Sequence, residues 1–212
     1  MTGHNDRAPG GPQARAVRAD QADVDALSQV VADAFHDLAP SRWLIADPAT
    51  RRKVFPGYFW LYVEHAMTHG MVQTTGDRTA AALWLPAGAG GPGPPAGYDA
   101  RLRAATGRWI DRFLAFDAAL DERHPSGTPH HHLALLAVRP DRQGLGTGTA
   151  LLRSYHELLD SGPGAPVYLE ASDLRTRRTY LRHGYTDHGP PIQLPGGPRM
   201  YPMWREGQPR AL

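Results

Sequence analysis

Apolar residues recur at helical spacing in some stretches of this chain and alternate or cluster in short runs elsewhere. Val24, Leu27, Val30, Val31 and Phe35 mark one face of a helix with Asp20 at its N-cap. After a turn at Pro40 and Ser41, residues 48–68 place Val54, Phe55, Phe59, Leu61, Tyr62 and His65 on a second helix, which Pro56 is expected to kink. Leu102, Trp109, Ile110, Phe113, Leu114 and Leu120 predict a further helix over 98–123, bounded by His124 and Pro125. Strands are expected at 14–18, at 70–75 and 79–85 (a hairpin joined by Gly76-Asp77), at 166–171, and in two closing segments around 185–194 and 199–204. Residues 86–97, PAGAGGPGPPAG, cannot hold regular structure and are long for a connection, so they read as a mobile linker or a substrate lid. Residues 1–12 read as a disordered tail and 13–212 as one domain, without internal repeats.

Composition narrows the class. The chain has 212 residues with 41% hydrophobic content, enough to bury a full core. Its 23 basic and 21 acidic residues nearly cancel, leaving +2, which is too little for a nucleic-acid-binding signature. The absence of cysteine excludes disulfides, thiolate metal sites and an acyl-cysteine mechanism. The first residues lack the apolar core of a signal peptide and no run of apolar residues is long enough to span a bilayer. A cytoplasmic protein without a membrane or nucleic-acid partner is expected, and a homodimer is left open.

The chemistry-bearing stretch is 130–152, HHHLALLAVRPDRQGLGTGTALL, a strand, a glycine-rich turn and a helix start in succession. Such a junction turns several backbone N–H groups toward one point, and its glycines keep side chains away from an anion of diphosphate size. A P-loop would need Lys and Ser or Thr after the last glycine, but Gly148 is followed by Thr149 and Ala150. A dinucleotide fingerprint would need Gly or Ala where Thr149 or Leu151 stands. The remaining pattern is Gln143-Gly144-Leu145-Gly146-Thr147-Gly148 after a strand ending Leu136-Ala137-Val138.

This loop resembles the acyl-coenzyme A pyrophosphate loop of the GNAT superfamily of N-acyltransferases. Residues 167–185, VYLEASDLRTRRTYLRHGY, are similar to the closing part of the same superfamily, with Tyr180, Gly184 and Tyr185 at its Tyr-x-x-x-Gly-aromatic positions. Asp173 departs from the pattern, because many members carry Asn there. The resemblance implies an α/β (α+β) GNAT fold: a mixed central sheet of six to seven strands, splayed at the acyl-CoA cleft and flanked by helices. It further implies acetyl-CoA as cosubstrate. The backbone of Leu136, Ala137 and Val138 would bond the pantetheine arm, beside which Asp173 stands, residues Arg142, Gln143, Gly144, Leu145, Gly146, Thr147 and Gly148 would surround the pyrophosphate, and Tyr180 would lie at the thioester.

Transfer to an amine needs a base, because an ammonium has no lone pair and a primary alkyl amine titrates near 10.4. His132 stands where the similar arylalkylamine N-acetyltransferases place one of two histidines, although their second would fall at Ala134. Glu170 competes for the role, since burial at the end of its strand would raise its pKa toward a useful value. Tyr180 matches the superfamily's general acid, and the N–H of Val138 could hold the oxyanion. Arg175, Arg178 and Arg182 share a helical face that suits either a nucleotide phosphate or solvent. No metal is expected at His130, His131 and His132, because adjacent strand residues point to opposite faces and no paired carboxylate or Cys is expected near them. Tyr58, Trp60 and Tyr62 would wall an aromatic acceptor pocket or a core face.

Scattered echoes, Val-x-Pro-Asp-x-Gln-Gly-x-Gly at 138–146 and Leu-Glu-x-Ser at 169–172, are similar to puromycin N-acetyltransferases and their actinobacterial relatives. That resemblance implies a small antibiotic-like or secondary-metabolite amine as acceptor, with walls from 36–62 and 86–100. A non-catalytic acyl-CoA-binding sensor and a protein N-acetyltransferase are the alternative readings.

Overall fold

The computed structural model describes residues 15–208, and the expected tail at 1–12 lies outside them. The chain opens with β1 (Ala16–Arg18), then α1 (Val24–Phe35), α2 (Ala39–Leu44) and α3 (Pro48–His69). The hairpin β2 (Met71–Thr75) and β3 (Ala80–Ala87) leads to α4 (Tyr98–Thr106) and α5 (Ile110–Asp121), then β4 (His130–Val138) and α6 (Thr147–Asp160). β5 (Val167–Ala171), α7 (Leu174–Leu181), β6 (Thr186–Asp187), β7 (Ile192–Gln193) and β8 (Arg199–Arg205) complete it. Among these residues no helix is long and apolar enough to cross a membrane.

The strands form one sheet in the order β1-β2-β3-β4-β5-β8-β6, with β7 paired to β8. Eight strands are therefore present rather than the six to seven expected, because the segment at 185–194 is split into two two-residue pieces by the glycine and prolines at 189–191. All pairings are antiparallel except β4 with β5, which run parallel and pair only at His131↔Val167 and His132↔Tyr168. Beyond His132 the two strands diverge, so the β5-facing edge of Leu133 to Val138 has no strand partner among the described residues.

Each face of the sheet carries its own core. One face packs on α1, α3, α4 and α5 through Leu27, Val31, Phe55, Phe59, Leu102 and Phe113. The other packs on α6 through Leu151, Leu152 and Tyr155, whose ring stacks on buried Trp84 at 4.0 Å. β4 serves both faces in an order that simple alternation does not give. Its register against β3 shifts between Leu83 and Trp84, leaving Ala134 without a partner. This bulge puts Ala134 and Leu135 together on the α1/α3 face and reverses the parity, so that Leu133 and Ala137 face opposite cores.

Three sequence expectations are corrected here. Pro40 and Ser41 lie inside the short helix α2 rather than in a turn, with Pro40 near its N-terminus, where a missing N–H costs nothing. The helix expected over 98–123 breaks at Gly107, whose φ of 55° ends α4 before α5 begins. Only 88–97 is loop in the Pro/Gly segment, because Pro86 and Ala87 continue β3 opposite His131 and His130. α3 itself runs without interruption through Pro56.

Candidate functional site

The divergence of β4 and β5 opens the sheet, and a cavity of about 620 Å³ passes through the gap. On the α6 side it is lined by Leu136, Val138, Arg142 and the turn residues Gln143, Gly144 and Gly146 to Thr149; on the other by Phe35, Leu44, Tyr58, Phe59, Tyr62 and Phe116. His132 and Glu170 line it between the two, and Asp173, Thr176 and Tyr180 border it from α7.

The turn is shaped by backbone conformation. Gly144 and Gly146 have φ of 79° and 82°, a region that side chains disfavour. Gly146 is the N-cap of α6 and offers no side chain to its first turn, so the N–H groups there are left for a ligand. Arg139 N–H bonds the carbonyl of Thr79, the residue just before β3, so the preceding N–H, that of Val138, points to the opposite edge and into the gap. The Val138 carbonyl accepts from Gln143 Nε2 at 3.0 Å, which ties the turn to the end of the strand.

Of the residues expected around the cofactor, Leu136, Val138, Arg142, Gln143, Gly144, Gly146, Thr147, Gly148, Asp173 and Tyr180 line the cavity. Ala137 and Leu145 do not. Ala137 is buried in the α1/α3 core, and the side chain of Leu145 stands in solvent at the tip of the turn. Asp173 is committed locally: its carboxylate accepts from the Thr176 N–H at 2.7 Å and caps α7. Arg175 and Arg182 line the cavity while Arg178 points to solvent.

His132 and Glu170, rivals in the sequence, are partners in space. His132 Nε2 lies 3.0 Å from Glu170 Oε2, and the Glu170 side chain is only 6% exposed. Burial pushes the Glu170 carboxyl up, as the sequence suggests, but the charge of His132 with its hydrogen bond, and the charge of His124, outweigh it and hold the group below the ordinary carboxylate range. The expectation of a raised Glu170 is thus overturned: it is a fixed anion. The premise that no carboxylate stands near the histidine run fails for the same reason.

His124 was legible only as a helix terminator. Its ring lies against His132 and His130, and its Nδ1 is 3.8 Å from Glu170 Oε1. His130, buried and lowered in pKa by that burial, bonds the Thr128 carbonyl at 2.7 Å through Nδ1 and faces His124 Nε2 at 3.3 Å. His131 points to the other face and bonds Tyr155.

Tyr180 is half-buried against Tyr185, and burial together with the Asp173 charge pushes its phenol above the ordinary value, keeping it protonated. At the far end of the cavity, Tyr58 donates to Tyr62, and the hydroxyls of Tyr62 and Tyr98 bond each other at 2.7 Å. Tyr98 also donates to Asp117 at 2.8 Å, and burial raises that carboxyl to about 6 against the pull of the two phenols. Trp60 is not part of this wall; its indole turns outward to Asp25. Nor does 86–97 line the cavity, where α5 residues Phe116 and Leu120 take the place expected of the loop.

Residues 119–206 match the family model of the acetyltransferase (GNAT) domain. Among solved structures the chain is similar to the histone acetyltransferase HPA2 and related acetyltransferase from Corynebacterium glutamicum: TM-score 0.67, 24% identity, 95% of this chain and 98% of that one covered. It is also similar to arylalkylamine N-acetyltransferase 2 from Aedes aegypti (TM-score 0.57, 11% identity, 92% and 99% covered). A third is the C-terminal condensation domain of Ebony in complex with beta-alanyl-dopamine (TM-score 0.56, 14% identity, 92% and 99% covered). The chain has the fold of the GNAT acetyltransferases, and the domain match supports acyl transfer in general.

Proposed function

We propose that this chain is a cytoplasmic acetyl-CoA-dependent N-acetyltransferase that moves acetyl directly to a primary amine of a small, antibiotic-like or secondary-metabolite molecule. The observation that carries the reading is the cavity crossing the sheet: a donor side at the glycine turn and an acceptor side between α1, α3 and α5 meet at His132 and Glu170. Acetyl-CoA fits the donor side because the elements it needs face the cavity there: the unpaired edge of β4, the uncapped N-terminus of α6 and the Arg142 guanidinium.

The amine reaches the junction as an ammonium, and His132 takes its proton. Glu170 is held as an anion, so it is a weak base; its work is to hold the His132 ring and offset the charge the ring acquires. The neutral amine then attacks the thioester carbonyl, and the Val138 N–H stabilises the oxygen as it gains charge. When the carbon–sulfur bond breaks, the departing thiolate takes the proton of Tyr180, the excess proton on the newly acylated nitrogen restores the phenol by way of solvent, and His132 returns its own proton to solvent.

Aromatic and aliphatic residues dominate the acceptor side, with the Tyr58 and Tyr62 hydroxyls as its polar points. Such a wall suits an amine with an apolar or aryl body, of the kind puromycin or an arylalkylamine presents, better than a polycationic sugar or an extended peptide. The experiment is calorimetry with acetyl-CoA on wild type and Gly146→Ala. Wild type is expected to bind, and the variant, strained at φ 82°, to bind at least fivefold more weakly. Failure of wild type to bind would remove the reading.

A further inference from the structure

We propose that His124, His132 and Glu170 form a binding site for a zinc-type divalent cation, and that its occupancy switches the transfer off. The binding half stands on geometry alone; the switch rests on the proposed function.

The hydrogen-bond chain fixes where the lone pairs point. The Thr128 carbonyl can only accept, so His130 carries its proton on Nδ1 and presents a bare Nε2. His124 Nε2, 3.3 Å away, must donate to it. The Nδ1 of a neutral His124 is then a bare nitrogen directed at Glu170 Oε1, 3.8 Å distant and beyond hydrogen-bonding range. That oxygen is buried and has no hydrogen-bond partner among the described residues, on a side chain 94% withdrawn from solvent by its 6% exposure. A buried carboxylate oxygen facing a nitrogen lone pair calls for a positive charge between them.

Three donor atoms, one each from His124, His132 and Glu170, lie within 4.8 Å of one another. Tetrahedral zinc spaces its ligands at roughly 3.3 Å, given bonds of about 2.0–2.2 Å, so contraction by an ångström or so completes the set. Two imidazoles and a carboxylate are the ligand chemistry of zinc sites that keep one position open, and here that position faces the cavity that His132 and Glu170 line. His130 already supplies the outer support that orients a ligating histidine, through its contact with His124 Nε2. Binding displaces the proton that His132 Nε2 shares with Glu170, moves it to solvent and leaves neither residue free for the amine.

The test is titration of the untagged full-length chain with cobalt(II), read by visible absorption, followed by zinc inhibition of amine-dependent thiol release. One equivalent of cobalt is expected to give the intense absorption of a four-coordinate site, lost on adding zinc and absent in His124→Asn. Zinc is expected to lower thiol release at least tenfold, reversibly with EDTA, and His124→Asn to raise the half-inhibiting concentration at least tenfold. Should His124→Asn fail to fold, His132→Asn serves for the cobalt spectrum. Only weak six-coordinate absorption, or an unchanged band in the variant, would overturn the site. A cobalt band in a chain that releases no thiol with any amine would keep the site but overturn the switch together with the transfer reading.

Discussion

His132 on β4 and Glu170 on β5 are joined by a 3.0 Å hydrogen bond; His132 belongs to the last register pair, His132↔Tyr168, and Glu170 stands two residues beyond Tyr168, where the strands part. The parting of the sheet and the site of chemistry therefore have one origin. Replacing Glu170 with Gln keeps the shape and removes the charge. Turnover is expected to fall at least tenfold near neutral pH, with acetyl-CoA affinity changed less than twofold. Steady-state kinetics beside calorimetry checks this, and unchanged turnover would show that the anion does not support His132.

Tyr180→Phe removes a proton donor without changing the ring that packs on Tyr185. A drop in kcat of at least tenfold is expected with little change in coenzyme affinity. Equal losses in both would assign Tyr180 to binding instead.

Asp117 gives a pH dependence of stability with a definite sign. Its carboxyl is raised to about 6 in the folded chain, above the value near 3.9 of an unfolded one. The folded state is favoured in full below about pH 4, and that contribution is lost as pH rises through 6. Asp117→Asn, neutral and still able to accept from Tyr98, is expected to be more stable than wild type by about 1–2 kcal/mol at pH 8, an advantage absent below pH 4. Thermal melts at both pH values decide it; a less stable variant at pH 8 would mean that the phenols favour the anion.

Phe116 forms part of the acceptor wall without reaching the glycine turn. Phe116→Ala should raise the acceptor KM about tenfold, by loss of roughly 1–2 kcal/mol of apolar contact, and leave the acetyl-CoA KM alone. A rise in both would place Phe116 outside a separate acceptor compartment.

Much of this architecture was legible in the sequence because its signals are local. The 3.6-residue period of α1, the Asp20 cap, the 70–85 hairpin and the glycine turn each follow from neighbours a few positions apart. What was not legible depends on residues far apart. The bulge at Ala134 needs the register with β3, and the depressed Glu170 carboxyl needs His132 and His124, which come from β4 and from the connection preceding it. A sequence shows that Glu170 sits among apolar residues; it does not show which cation the fold brings to it. The 86–97 segment misled in the opposite way, since flexible composition says nothing about which wall it covers, and α5 occupies that place.

The central claim, that a donor and an amine meet at His132 and Glu170, is tested most directly by measuring free-thiol release from acetyl-CoA. The amine panel should include puromycin, arylalkylamines, aminoglycosides and a lysine peptide. Release dependent on an aryl or apolar primary amine, and reduced at least tenfold in Glu170→Gln, is the predicted result. Tight binding of acetyl-CoA without amine-dependent release from any member would contradict the account and favour an acyl-CoA sensor.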